Sequence, residues 1–186
     1  MKRILIFNDT TTIGGAEILL IELLKHLSGK SCEVTLLIPY PTEDETLVKS
    51  IPKNIDVKYL YKKQPSALQR QIAINSMVFT PRLYSKFVGI DSAEYDFVVC
   101  FKDSFYSIPF SRLKGTKFIW IHTQPYDRVI SKKNVREFVS SVLNKIQLRR
   151  LSKSFRRYNK VLCVSPTCKS EFIRIYEKGQ DQPNVE

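Results

Sequence analysis

The chain has 186 residues, of which 43% are hydrophobic, 11% aromatic and 26% charged. That composition excludes a disordered or fibrous protein and is enough to build a core. With 30 Lys and Arg against 18 Asp and Glu, the net charge of +12 calls for an anionic partner such as nucleic acid, lipid headgroups or a phosphorylated substrate.

The chain opens on an apolar strand at residues 4–7, too short for a signal-peptide core, and no later run is long enough to cross a bilayer. A cytoplasmic location is expected. A polar loop follows, with three threonines at positions 10–12, and Gly14-Gly15-Ala16-Glu17 then opens a helix over residues 16–27. Its apolar face is expected to carry Ile18, Leu19, Leu23, Leu24 and Leu27. His26 falls near the helix C-terminus, where the dipole accounts for it. A strand, a glycine turn and a helix N-terminus make an anion site, because unpaired N–H groups point outward and no Cβ blocks a phosphate. The same glycines also suit a tight turn with no ligand. Neither G-x-G-x-x-G nor the Gly-Lys-Ser/Thr ending of a P-loop is present.

Further strand-like runs occur at 34–38, 57–60, 97–101, 118–121 and 161–164. A polar connection with Pro39, Pro41 and Pro52 joins the second and third of the six strands. A helical pattern over 66–88 is expected to break at Pro81. Another, over 133–158, places Val135, Phe138, Val139, Val142, Leu143 and Ile146 at helical spacing, then Leu151 and Phe155. Strands apolar on both faces, alternating with helices, predict an α/β, Rossmann-like three-layer domain on a mostly parallel sheet, one domain over residues 1–186. The last ten residues read as a loop leaving the domain edge. The four cysteines, at 32, 100, 163 and 168, show no C-x-x-C pair, so neither a metal nor a disulfide framework is expected.

Candidate chemistry clusters where strands end, since ligands of such sheets bind beyond the strand carboxyl ends. Lys102 and Asp103 follow the fourth strand, with Asp103 either a ligand contact or a cap for the next helix. His122 and Thr123 follow the fifth, and the imidazole either faces a ligand or bonds a neighbouring loop. Ser165 before Pro166 has the form of an N-cap with proline in the first turn. From residue 138 to 170 there is no acidic residue, while Lys145, Arg149, Arg150, Lys153, Arg156 and Arg157 fall close together. They form either a solvated face or a basic amphipathic surface for anionic headgroups.

The stretch Thr12-Ile-Gly14-Gly15-Ala-Glu17-Ile-Leu-Leu-Ile-Glu-Leu-Leu-Lys-His-Leu27 resembles the N-terminal signature of family 4 glycosyltransferases, which have the GT-B fold. Residues 32–38 sit where that family places its second strand. The resemblance implies the N-terminal, acceptor-side domain of a retaining glycosyltransferase. The whole enzyme would move a sugar, of hexosyl type, from a nucleoside-diphosphate sugar to a saccharide or lipid-linked acceptor in surface polysaccharide or glycolipid assembly. It implies no cofactor and no metal. By the same resemblance, Gly14 and Gly15 lie at the donor diphosphate and His122 is the catalytic contact to the sugar. Lys102, Asp103, Thr123 and Ser165 line the acceptor cleft, and the basic residues seat the enzyme peripherally on the inner membrane face. The donor-binding C-terminal half that such enzymes carry, with its paired glutamates, is absent from these 186 residues, so they alone are expected to be inactive. Two competing readings are a basic nucleic-acid module and a nucleotide-sugar binding protein without transferase activity. Against the first, the aromatic residues lie mostly in strand interiors rather than interleaved for base stacking, and nucleic acid is not the expected partner.

Overall fold

A computed structural model describes residues 1–90, 95–122, 135–176 and 185–186, with backbone only at 135–140. The described elements are β1 (Lys2–Phe7), α1 (Gly15–Ser28), β2 (Cys32–Ile38), α2 (Thr46–Lys49), β3 (Asp56–Tyr59), α3 (Ala67–Phe79), α4 (Pro81–Phe87), β4 (Phe97–Cys100), α5 (Ser107–Phe110), β5 (Thr116–Ile121), α6 (Val135–Phe155), β6 (Lys160–Cys163) and α7 (Pro166–Tyr176). The six strands form one sheet in the order β3-β2-β1-β4-β5-β6, and every neighbouring pair is parallel. This is the expected Rossmann-like α/β architecture. Strand order reverses between β1 and β4, so the loops after these two strands diverge and leave a crevice.

Alternation along the strands sends side chains into two apolar layers. Leu5 and Phe7 of β1, with Val98 and Cys100 of β4, pack against Ile108, Leu151, Phe155 and Phe172 on one face. Ile6, Leu36 and Ile38 pack against Leu20, Ile21, Leu24 and Leu47 on the other. A fully buried side chain of this size contributes about 1.5–3 kcal/mol, so the sheet is held from both faces.

The structure revises several local expectations. The buried residues of α1 are Glu17, Leu20, Ile21 and Leu24, at helical spacings of three and four, while Ile18 and Leu19 are exposed. The buried stripe is therefore rotated toward Glu17. The break at Pro81 falls as expected, dividing α3 from α4, with Ser66 as N-cap of α3 accepting from the Gln69 N–H. The connection over 39–54 contains the short helix α2, pinned by fully buried Leu47. Helix α6 ends at Phe155, so Arg156 and Arg157 lie beyond it, and Ile146 is exposed. Residues 177–184 fall outside the described residues. Val185 and Glu186 return to the free side of β6, where Glu186 exchanges backbone hydrogen bonds with Val161 and Cys163. At Gly115 φ is +86°, and a Cβ there would meet the Tyr95 and Asp96 carbonyl oxygens at 2.7 and 2.8 Å, so the turn into β5 requires glycine.

Candidate functional site

The start of α1 sits over the crevice. Gly14 is its N-cap with an extended backbone, and Gly15 is the first helical residue. Glu17, at the third helical position, folds back so that its Oε2 accepts the Gly14 N–H at 3.0 Å. A Cβ on Gly14 would touch that same oxygen at 3.0 Å, so this glycine admits the carboxylate. A Cβ on Gly15 would meet nothing within 4 Å, so the protein's own packing does not demand glycine there. The Gly14 amide is thus engaged within the chain, and the open helix start lies at Gly15.

Beneath the helix start, Lys102 from the end of β4 reaches across the switch point. Its Nζ lies 2.6 Å from Glu17 Oε1 and 3.5 Å from Asp9 Oδ1. The Glu17 side chain is only 4% exposed and those of Lys102 and Asp9 about a quarter. Burial pushes the Glu17 carboxyl up, but the Lys102 hydrogen bond and charge, with the backbone hydrogen bonds at Glu17 and Gly14, outweigh it and hold the group below the usual carboxylate range. For Asp9 burial wins over Lys102 and the carboxyl titrates above its usual range. Burial would lower Lys102, yet the Glu17 hydrogen bond and the two carboxylates raise it, so it stays charged.

His122, directly after β5, lies beside this cluster. Its ring is 4.8 Å from Phe101 and 6.0 Å from Trp120, centroid to centroid. Burial first, then the charge of Lys102, lowers its pKa, so the imidazole is neutral at physiological pH. It hydrogen-bonds the Phe101 backbone, and its buried Nε2 has no partner among the described residues.

Beside the crevice, the loops after β1 and β2 are tied by a hydrogen bond between the Thr11 and Thr42 hydroxyls and by the Leu47 N–H donating to the Thr11 carbonyl at 3.3 Å. They enclose an open cleft of about 550 Å³ lined in part by Asp9, Thr10, Thr12, Tyr40, Glu43 and Gln64. Hydroxyls and carboxylates of this kind suit a polyhydroxylated ligand.

Of the remaining candidates, Asp103 is not the cap of the next helix, since the N-cap of α5 is Tyr106. Ser165 caps α7 as expected, accepting the Cys168 N–H at 3.1 Å, and it lies at the carboxyl end of β6 on the same sheet edge. Thr123 lies outside the described residues. Lys145, Arg149, Arg150, Lys153, Arg156 and Arg157 are all exposed, and Arg150, Lys153 and Arg157 also line a pocket at the opposite sheet edge. Asp9 and Glu17 were not singled out as site residues by sequence. The signal for Glu17 was its place three residues after an N-cap, and for Asp9 its place just beyond the first strand.

No protein-family model matches this chain, and no curated protein sequence matches it. Solved structures do. UGT2 of Phytolacca americana, complexed with UDP-2-fluoro-glucose and pterostilbene, superposes with a TM-score of 0.59 at 12% identity, covering 99% of this chain and 52% of that one. The lipopolysaccharide outer core galactosyltransferase WaaB, in apo form, gives 0.53 at 15% identity over 100% of this chain and 44% of that one. Anabaena HepE in complex with UDP-glucose gives 0.53 at 16% identity over 100% and 43%. The chain spans about half the length of these proteins. They are glycosyltransferases of the GT-B class, and at such identities the likeness establishes a shared fold.

Proposed function

We propose that this chain is the N-terminal, acceptor-side domain of a retaining, family 4 type GT-B glycosyltransferase. The complete enzyme transfers a sugar, of hexosyl type, from a nucleoside-diphosphate sugar to a saccharide or lipid-linked acceptor in surface polysaccharide or glycolipid assembly. The observation that carries this reading is the open helix start at Gly15, on the same sheet edge as the neutral imidazole of His122. The N–H groups at the start of α1 bind the donor diphosphate and stabilise charge as it leaves the sugar. Glu17 and Lys102 hold that helix start in place. His122, uncharged, hydrogen-bonds the sugar or the acceptor and does not act as a nucleophile. The hydroxyl-rich cleft beside Asp9 receives the acceptor, with Lys102, Asp103, Thr123 and Ser165 along its rim. Lys145, Arg149 and Arg156 face anionic headgroups on the inner membrane face, where each charge is worth about 1 kcal/mol.

One wall of a cleft buries little of its ligand, so this chain alone is expected to bind a donor weakly and transfer no sugar. The test is an NMR titration of the chain with UDP-glucose. Saturable shifts at Gly15, Ala16 and His122 are expected, and Gly15→Ala should abolish them while stabilising the fold by about 0.5–1 kcal/mol. Shifts confined to other residues, or unaffected by Gly15→Ala, would overturn the donor assignment. Robust sugar transfer by the isolated chain would overturn the divided-site reading.

A further inference from the structure

The cations near the end of α6 converge with others at the sheet edge opposite the crevice. Helices of a parallel sheet run against the strands, so α5 and α6 end where β5 and β6 begin. Arg112 lies just past α5 and Arg157 just past α6, each a few residues before the next strand. Together with Arg150 and Lys153 they line a pocket of about 250 Å³ whose apolar floor is Val78, Pro81 and Ile108. These floor residues are buried.

We propose that this pocket binds a phosphate monoester joined to a small apolar body. Three observations support it. The guanidinium of Arg150 is held in place, its Nη1 donating to the Val78 carbonyl at 3.2 Å and its Cζ lying 4.7 Å from the Phe79 ring centre. A guanidinium fixed in this way presents its remaining N–H groups without further loss of side-chain freedom, and its planar fork matches a phosphate. Next, the cations face one another without compensation. Among the described residues no carboxylate lines the pocket, and Arg112, Arg150, Lys153 and Arg157 make no ion pair. Burial, then the charges of Arg157, Arg82 and Arg150, lower the proton affinity of Arg112, the mark of cations held close together. Exposed as they are, these cations border one pocket over a shared apolar floor instead of being spread along a face. Finally, size restricts the ligand. The pocket falls below the roughly 300–1,000 Å³ typical of sites for drug-sized ligands, so it suits a phosphate with a short hydrocarbon segment and not a nucleotide. A soluble phosphate ester and a phosphatidic acid headgroup both offer that chemistry. The site lies away from the proposed donor and acceptor positions and does not depend on them.

The test is calorimetric titration of the chain with phenyl phosphate and with inorganic phosphate, at ionic strength matched with chloride. Saturable binding is expected, tighter for phenyl phosphate because of the apolar floor. Arg112→Gln and Arg157→Gln, both exposed positions, should each weaken it about tenfold, the loss of one charge-assisted hydrogen bond. Gly15→Ala should leave it unchanged, and circular dichroism confirms that each variant folds. Absence of saturable binding, or binding indifferent to both arginine variants, overturns the proposal. Co-sedimentation with mixed phosphatidylcholine and phosphatidic acid vesicles then identifies the source. Vesicle binding that phenyl phosphate competes away and Arg112→Gln removes assigns the lipid headgroup. Phenyl phosphate binding without vesicle binding assigns a soluble ester. Vesicle binding that neither phenyl phosphate nor Arg112→Gln affects is charge-driven adsorption alone and counts against the pocket.

Discussion

The two edges of this sheet treat charge in opposite ways. At the carboxyl edge, Lys102 is locked between Glu17 and Asp9, and the carboxylate of Glu17 is nearly excluded from water. At the amino edge, Arg112, Arg150, Lys153 and Arg157 gather over an apolar floor with no carboxylate lining it among the described residues. A charge compensated within the fold is a structural part, and here it fixes the start of α1. A charge left uncompensated within the fold stays open to a counterpart from outside it. The contrast separates cations that hold the fold together from cations left open to an anionic ligand.

Removing the central cation tests the first half of that contrast and carries the largest expected effect. Lys102→Met leaves Glu17 buried without its counter-charge, and breaking a buried pair on one side costs on the order of 3 kcal/mol. Urea denaturation should show that loss, and the double variant Lys102→Met/Glu17→Gln should recover most of it. A loss below about 1 kcal/mol would place the pair among ordinary surface ion pairs.

Acid titration sharpens the same comparison with a smaller effect. Glu17 is held below its ordinary value of 4.5, so its contribution is complete above that pH and disappears as pH falls through the lowered value. Asp9 is raised above its ordinary 3.8 and has the opposite sign, because the folded state takes up its proton first and is relieved as pH drops. The two carboxylates therefore partly cancel in acid. Asp9→Asn should make the acid loss of stability steeper than in the parent chain, and Glu17→Gln should flatten it, as read from urea midpoints stepped downward from neutral pH.

The sheet was legible in the sequence because strands covered on both faces must be apolar throughout, and all six runs became strands. The helix stripe of α1 was misjudged for a physical reason. Glu17 occupies a core-facing position, and a count of apolar residues cannot find a buried carboxylate whose partner, Lys102, comes from a distant strand end. Short α2 and α5 have too few residues to display a helical period. The strand-end rule led to His122 and Lys102, but their neighbour Asp9 stood unnoticed among the loop threonines. The run of cations on α6 was visible as composition. That three of them share a pocket with Arg112 depends on how α5 and the α3–α4 break pack against α6, which no local pattern records.

The amino edge offers the smallest expected effect and the sharpest opposition. If Arg112, Arg150 and Arg157 repel one another without an internal counter-ion, neutralising one relieves strain that the fold otherwise tolerates. Arg112→Gln should then leave stability unchanged or raise it by no more than about 0.5 kcal/mol, as expected for an exposed position. Any gain should vanish in concentrated salt, where the screening length shrinks to about 3 Å at 1 M. The loss in Lys102→Met should persist there, since a nearly dry carboxylate is poorly screened. Paired denaturation curves at low and high salt separate the cases. A marked loss of stability in Arg112→Gln would mean that this guanidinium holds the fold as Lys102 does, and the two edges would then no longer differ in kind.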